Sequence, residues 1–181
     1  KVRSALRIFV DLSDGTDAGV GRISNGGFES AVRPSATSPF EWQIAAGLQP
    51  QIVLTTGEKH SGSNSLLIVF NSNEAKDFRG VSQLVAVQPD TNYGLEVFYR
   101  ADVKIAAALR WEVADADGQR LGVSDPISNQ SQWTAIRFGF RSPAGKDGIT
   151  VRLVRDNCAA VCPAVGNVWF DDITLRSADI G

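Results

Sequence analysis

The sequence predicts an all-β fold, an antiparallel β-sandwich of the jelly-roll type, with a short N-terminal helical or linker segment. From Ile23 onward, short segments rich in β-branched and aromatic residues are separated by turn signals. No second helical pattern lies between these segments. Successive strands without crossover helices are typical of antiparallel sandwiches, of which the jelly roll is a Greek-key form.

The first element is predicted to be a helix. Residues 2–12, VRSALRIFVDL, carry apolar residues three and four positions apart, which is typical of an amphipathic helix. The next stretch, SDGTDAGVG, is small and Gly-rich like a linker. We interpret residues 1–22 as the end of a preceding region or a helix that packs on the domain, residues 23–176 as the β-sandwich, and 177–181 as a tail.

The sandwich begins at NGGFES, where an Asn-Gly-Gly turn precedes Phe28 and Glu29. We interpret Phe28-Glu29 as the start of the first strand, with Phe28 entering the core. The later predicted strands are, in chain order, WQIAAG, QIVLTTG, NSLLIVFN, GVSQLVAVQ, NYGLEVFYRAD, IAAALRWEVAD, QWTAIRFGFRS, GITVRLVRD and NVWFDDITL. Turns are predicted at QPDTN, DADGQ and SPAGKDG.

Alternation along the strands separates a core face from a charged face. In LEVFYR, for example, Leu95, Val97 and Tyr99 point to one side and their neighbours to the other. The same reasoning places Trp111 in the core with Leu109. The opposite, Arg-rich face is predicted to carry Phe98, Arg100, Arg110, Glu112, Arg137, Arg141 and Arg152.

Composition excludes several classes of protein. The 181 residues are 43% hydrophobic and 21% charged, which is enough apolar material for a sizeable core. A net charge of -2 does not suit a nucleic-acid binder. No apolar run is long enough to span a membrane, and no segment of the sequence has the pattern of a signal peptide. Because the chain begins at Lys1 and contains no Met, we expect a processed protein or a piece of a longer one.

Cys158 and Cys162 lie four residues apart in a loop with Pro and Gly. Such a pair can close a small disulfide ring, and disulfides persist in oxidising compartments. The alternatives are free thiols or a zinc site, although zinc needs about four ligands and the chain offers one His and no other Cys. The disulfide interpretation predicts an extracellular or periplasmic location.

Several motifs together resemble one family. NGGFES, FEWQI, HSGSNSL, GVSQLVAVQPDTNYGLEVFYRAD, QWTAIRFGF and VWFDDITL follow in that order over roughly residues 23–176. They resemble the galactose-binding-like jelly rolls of the family 4, 9 and 22 carbohydrate-binding modules. The resemblance implies a β-sandwich and, in an exported protein, a non-catalytic accessory role.

A cation site is also predicted. Ca2+ prefers carboxylate and carbonyl oxygens, and Glu29, Asp171 and Asp172 supply carboxylates near the two ends of the sandwich. The resemblance implies a structural calcium at Glu29 and Asp171, with backbone carbonyls from Gly27 and from the HSGSN turn near Ser63 or Asn64. The alternative is that these acids are solvated strand ends.

Enzymatic function is not predicted. The single histidine, His60, lies in the turn EKHSGSN, and no GxSxG motif surrounds any serine. Alternation alone does not bring two carboxylates into one cleft, as a glycosidase requires. His60 is therefore expected to be a surface residue.

Two functions remain open. The first is a carbohydrate-binding module that holds a polysaccharide on the Arg-rich face, where guanidinium groups match the carboxylates of an acidic glycan. Its predicted ligand-binding residues are Phe98, Arg100, Arg110, Glu112, Arg137 and Arg152. The second is a structural or interaction module that contacts other domains of its parent protein and binds no glycan. The family pattern places Trp42, Trp133 and Trp169 in the core or at its rim.

Overall fold

A computed structural model describes residues 1–14, 16–72, 77–158 and 161–178. It confirms the antiparallel β-sandwich with one short N-terminal helix. The elements, in chain order, are α1 (Val2–Leu12), β1 (Gln43–Ile44), β2 (Gln51–Thr55), β3 (Ser65–Ser72), β4 (Val81–Ala86), β5 (Asn92–Ile105), β6 (Leu109–Ala114), β7 (Arg120–Val123), β8 (Gln130–Arg141), β9 (Gly148–Arg155) and β10 (Ala164–Ser177).

The strands form two five-stranded sheets. Sheet A has the order β1-β4-β9-β6-β7, and sheet B has the order β2-β3-β10-β5-β8. Every pairing between named strands is antiparallel. Consecutive strands therefore alternate between the two sheets at several points, as they do in a jelly roll.

Aromatic side chains fill the space between the sheets. Trp111 is fully buried and meets the ring of Phe170 edge-on, with 5.2 Å between centroids. On its other side Trp111 contacts Trp42 at 6.0 Å, and Trp42 stacks on Phe28 at 5.6 Å. Offset and edge-to-face contacts of this kind stabilise a core beyond the area that they bury.

The structure corrects three details of the predicted elements. Phe28 is buried as expected, but NGGFES forms a turn and not a strand, and Phe28 itself has a φ of 56°. The segment IAAALRWEVAD is divided, because β5 ends at Ile105 and β6 begins at Leu109. Strand β7 was not predicted, since RLGV is short and only partly buried.

Helix α1, which the amphipathic pattern predicted, packs on sheet A. Leu6 is buried against Phe40 and Ala86, and Leu84 of β4 packs against the same cluster. The backbone N–H groups of Val2 and Arg3 donate to Asp147, whose carboxylate thus occupies the N-terminus of the helix. The helix therefore covers part of the outer face of sheet A.

Candidate functional site

A fully buried carboxylate fastens the end of the sandwich. Asp171 Oδ2 accepts hydrogen bonds from the backbone N–H groups of His60 (2.8 Å) and Ser61 (3.2 Å). Its Oδ1 accepts from the N–H of Asp172 at 2.8 Å. Burial raises the pKa of Asp171 because it disfavours the charged form, and these hydrogen bonds act in the opposite direction.

Glu29 holds the other side of the same turn, which we call the His60 turn (residues 58–64). Its Oε1 accepts from the N–H groups of Ser63 (2.8 Å) and Asn64 (3.0 Å). Gly62 has a φ of 59°, and a Cβ there would lie only 2.3 Å from Glu29 Oε1. The carboxylates of Glu29 and Asp171 thus bind the backbone of one turn, although they come from positions far apart in the chain.

The structure places the residues of the predicted calcium site around this turn. The Cβ position of Gly27 lies 3.5 Å from Asp172 Oδ1 and 3.9 Å from Glu29 Cγ, so Gly27 lies close to both acids. Ser63 and Asn64 present N–H groups to Glu29. Within the described ranges, no three His, Cys, Asp or Glu side chains group together as metal ligands. Calcium binding stays a prediction.

A bulge in β10 connects this turn to the outer face of sheet B. The pairing of β10 with β5 shifts between Asp171 and Thr174, and Asp172 has a φ of 47°. Asp172 Oδ2 lies 2.6 Å from His60 Nδ1, and its Oδ1 accepts from the Ser61 hydroxyl at 2.9 Å. His60 is thereby held by its backbone and its ring at once.

His60 lies with Phe98, Trp133 and Trp169 on the outer side of sheet B, and we call these four rings the aromatic face. Its imidazole stacks on Phe98 with 3.9 Å between centroids and 14° between planes, and Trp133 lies 5.8 Å away. Trp169 lies across from Arg100 in the pairing of β10 with β5. Phe98, Trp133 and Trp169 are all half-buried, so each ring leaves part of its surface open to solvent.

Two predicted arginines belong to this face and already have partners. Arg100 donates to Glu58 Oε2 at 2.5 Å, and its guanidinium lies 5.6 Å from the centre of the Trp169 ring. Arg137 donates through Nε to Glu96. The pairing with Glu58 holds Arg100 against Trp169 in a cation–π arrangement.

The sheet order corrects the prediction of one continuous Arg-rich face. Phe98, Arg100 and Arg137 lie on sheet B, whereas Arg110, Glu112 and Arg152 lie on sheet A. Because the sheets pack through their inner faces, the outer faces look in opposite directions. Strand alternation identified the outward residues correctly, but it does not reveal to which sheet each strand belongs.

The charges on sheet A are paired with each other. Glu112 is 3% exposed and accepts from Arg120 Nε (2.5 Å) and Arg152 Nε (2.8 Å). Burial opposes ionisation of Glu112, yet the hydrogen bonds from both arginines outweigh it and lower its pKa. Arg110 donates to Asp156 at 3.1 Å. Ion pairs therefore occupy part of the outer face of sheet A, and helix α1 covers another part of it at Leu84.

Sequence reasoning missed the binding potential of Trp133, Trp169 and His60. Trp169 stands between the buried residues Val168 and Phe170, so alternation alone indicates that it faces outward. Trp133 has the same parity as the exposed Arg137 on β8. For His60 there was no signal, since only the bulge at Asp171 and Asp172 brings it onto Phe98.

Two further observations concern the cysteine pair and the membrane. The structure joins Cys158 and Cys162 in a disulfide. None of the helices in the described part of the chain has the length and apolar character needed to cross a membrane.

Solved structures with a similar fold include carbohydrate-binding modules. A family 4 module (CBM4) matches with a TM-score of 0.61 and 13% identity, over 86% of this chain and 99% of that one. A CBM22-1 xylan-binding domain from Paenibacillus barcinonensis matches with a TM-score of 0.50 and 15% identity, over 77% and 87% of the two chains. The expected CBM-type jelly roll is confirmed.

Proteins with other functions also match this chain. A cyclase from Fischerella sp. TAU matches with a TM-score of 0.61 and 16% identity, over 88% of this chain and 96% of that one. One curated protein, the tRNA(Glu)-specific nuclease WapA of Bacillus subtilis subsp. natto (strain BEST195), is 25% identical over 128 residues. The match covers 66% of this chain but 5% of that protein. No family model matches the chain.

Proposed function

We propose that the chain is a non-catalytic glycan-binding module of a larger exported protein, and that the glycan lies on the aromatic face of sheet B. The observation that carries this proposal is the contact of His60 with Phe98 and Trp133, together with Trp169, which lies under Arg100 on the same face of sheet B. Pyranose rings present flat C–H surfaces, which pack on aromatic rings, while nearby polar groups take their hydroxyls. Glu58, Glu96 and the two paired arginines supply such groups.

Two comparisons support this proposal. The CBM4 and CBM22 structures share the fold, and the P. barcinonensis domain is a xylan-binding domain. The short match within the much longer WapA protein supports a module that is one part of a larger chain. The disulfide at Cys158 and Cys162 supports an extracellular or periplasmic location.

Affinity electrophoresis through gels that contain neutral or acidic polysaccharides tests this function. We expect at least one polysaccharide to retard the protein, and no release of new reducing ends when the two are incubated together. Migration that is unchanged in every gel contradicts glycan binding. Release of reducing ends contradicts the non-catalytic role.

A structural or interaction module is the second candidate, and sheet A favours it. Its outer face carries Glu112 between Arg120 and Arg152, with helix α1 packed on β4. A face closed in this way suits contact within the molecule or with a neighbouring domain better than a soluble ligand. The two functions are compatible because they use opposite faces.

We also propose a structural Ca2+ held by Glu29 and Asp171 with main-chain oxygens of Gly27 and of Ser63 or Asn64. Hard oxygen donors suit this ion, and a divalent cation would offset the burial cost of the Asp171 carboxylate. When bound, it would supply positive charge between the first turn and the last strand. The residues themselves hold the His60 turn through its N–H groups.

Removal of the cation is expected to lower the melting temperature. Thermal unfolding followed by circular dichroism, with EDTA and then with Ca2+ in excess, measures the effect. The variant Glu29→Gln is expected to show a smaller response to EDTA than the wild type. A wild-type midpoint that is identical in EDTA and in Ca2+ contradicts a stabilising cation.

A further inference from the structure

The aromatic face continues into a depression whose floor is made of glycine. Gly94 of β5 lies opposite Gly139 of β8, and Arg176 of β10 lies opposite Gly94 on its other side. A Cβ added to Gly94 would meet no atom within 4 Å. The depression has a volume of about 400 Å³, and Glu96, Arg137 and Thr174 complete its lining.

An unpaired arginine stands at this depression. Arg176 is exposed, and its guanidinium has no hydrogen-bond or ion-pair partner among the described residues. Arg176 also lines a second cavity of about 620 Å³, together with Arg22, which is likewise without a charged partner in the described part of the chain. Arg137 binds Glu96 only through Nε, which leaves its terminal nitrogens available.

The charge balance of this region is therefore positive, although the whole chain carries -2. Arg137 and Arg176 line the depression, and Arg22 lines the second cavity with Arg176. Among the described residues that line the two cavities, Glu96 supplies the one carboxylate. A guanidinium donates two parallel N–H groups that match the two oxygens of a carboxylate. The open floor lets a ring approach the backbone closely.

We propose that this depression is a subsite for an anionic sugar, and that the glycan of this module contains uronate residues. This inference rests on the proposed function. Gly94 precedes Phe98 by four positions on β5, which is about 13 Å at roughly 3.3 Å per residue. A single oligosaccharide can thus place its uronate carboxylate at Arg176 and a later ring on the aromatic face.

The test compares each uronate polysaccharide with its own carboxyl-reduced form, which differs only in that charge. Fragments of polygalacturonate, alginate and glucuronoxylan serve as probes, and calorimetry measures affinity at low and moderate salt. We expect at least one uronate fragment to bind ten-fold or more tightly than its reduced form, with a preference that weakens as salt rises. Arg176→Gln is expected to remove the preference and to leave binding of the reduced form unchanged.

Two more variants sharpen the test. Gly139→Thr fills the depression without changing any charge, and it is expected to weaken binding of the uronate fragment about ten-fold. Arg110→Gln removes a guanidinium from the opposite sheet and is expected to change nothing. Melting temperatures of all three variants confirm that they fold.

The outcomes separate the two proposals. Equal affinity for uronate and reduced fragments overturns the anionic subsite and leaves glycan binding in place. A preference that persists in Arg176→Gln also overturns the subsite. If no polysaccharide binds in any form, both proposals fail.

Discussion

Replacement of Asp171 with alanine is expected to lower the free energy of unfolding by about 3 kcal/mol, since hydrogen bonds to a charged group contribute roughly 1.5–3 kcal/mol each. The variant leaves the N–H groups of His60, Ser61 and Asp172 without their acceptor. Relief of the burial cost, which raises the pKa of this carboxyl, offsets part of the loss. Urea unfolding in the presence of EDTA measures the effect of the hydrogen bonds separately from any cation.

The neighbouring acid gives a matched control. Asp172→Asn keeps a residue that tolerates a positive φ, and its side chain is 27% exposed, so the change is expected to cost less than about 1 kcal/mol. If Asp172→Asn costs as much as Asp171→Ala, or if Asp171→Ala costs less than about 1 kcal/mol, Asp171 does not fasten the turn as described.

Loss of the aromatic face is expected to have the largest effect on glycan binding. Trp133→Ala should weaken binding about ten-fold, which corresponds to about 1.4 kcal/mol of binding free energy. Trp133→Ala with Phe98→Ala should weaken it about a hundred-fold, because the second lost ring removes a similar contribution. Aromatic residues, Trp in particular, are enriched among the few residues that supply most of the binding energy. Calorimetric titration with the polysaccharide that retards the wild type in gels measures both variants.

A variant on the other sheet controls for indirect effects. Val123→Ala removes an apolar side chain from β7 in sheet A and is expected to leave affinity unchanged. Melting temperatures establish that the Phe98 and Trp133 variants are folded. Full affinity in the folded double variant contradicts a glycan site on the aromatic face.

The sequence was sufficient for the fold because its signals are local. Alternation in LEVFYR and ITVRLVR places Val97 and Val151 in the core and their neighbours outside, and the structure agrees. Each of the turns predicted at QPDTN, DADGQ and SPAGKDG contains a residue with positive φ, namely Asp90, Gly118 and Gly145.

The candidate site was harder to predict from the sequence because it depends on which strands, far apart in the chain, lie side by side. Arg100 and Arg110 look equivalent in sequence, yet one lies on sheet B and the other on sheet A. The sequence also did not predict which arginines form ion pairs. Glu112 pairs with Arg120 of β7, a strand that the sequence did not indicate. His60 seemed an ordinary turn residue until Asp171 and Asp172 placed it on Phe98.

The structure also changes how NGGFES relates to function. Glu29 in this motif binds the N–H groups of Ser63 and Asn64, and Asp171 binds those of His60 and Ser61 in the same turn. The hydrogen bonds that fasten the end of the sandwich therefore also hold the turn that places the His60 ring on the aromatic face. Disruption of Glu29 or Asp171 should displace His60.

The most direct test of the central claim maps the bound glycan on the protein by nuclear magnetic resonance. The ¹⁵N-labelled chain is titrated with the uronate fragment that binds most tightly, and shifts of backbone amides are assigned. We predict that the shifts concentrate on β5 (Asn92–Ile105), β8 (Gln130–Arg141), β10 (Ala164–Ser177) and the His60 turn. Shifts that concentrate on β6 and β9 around Glu112, or no shifts with any fragment, would contradict the claim that sheet B binds the glycan.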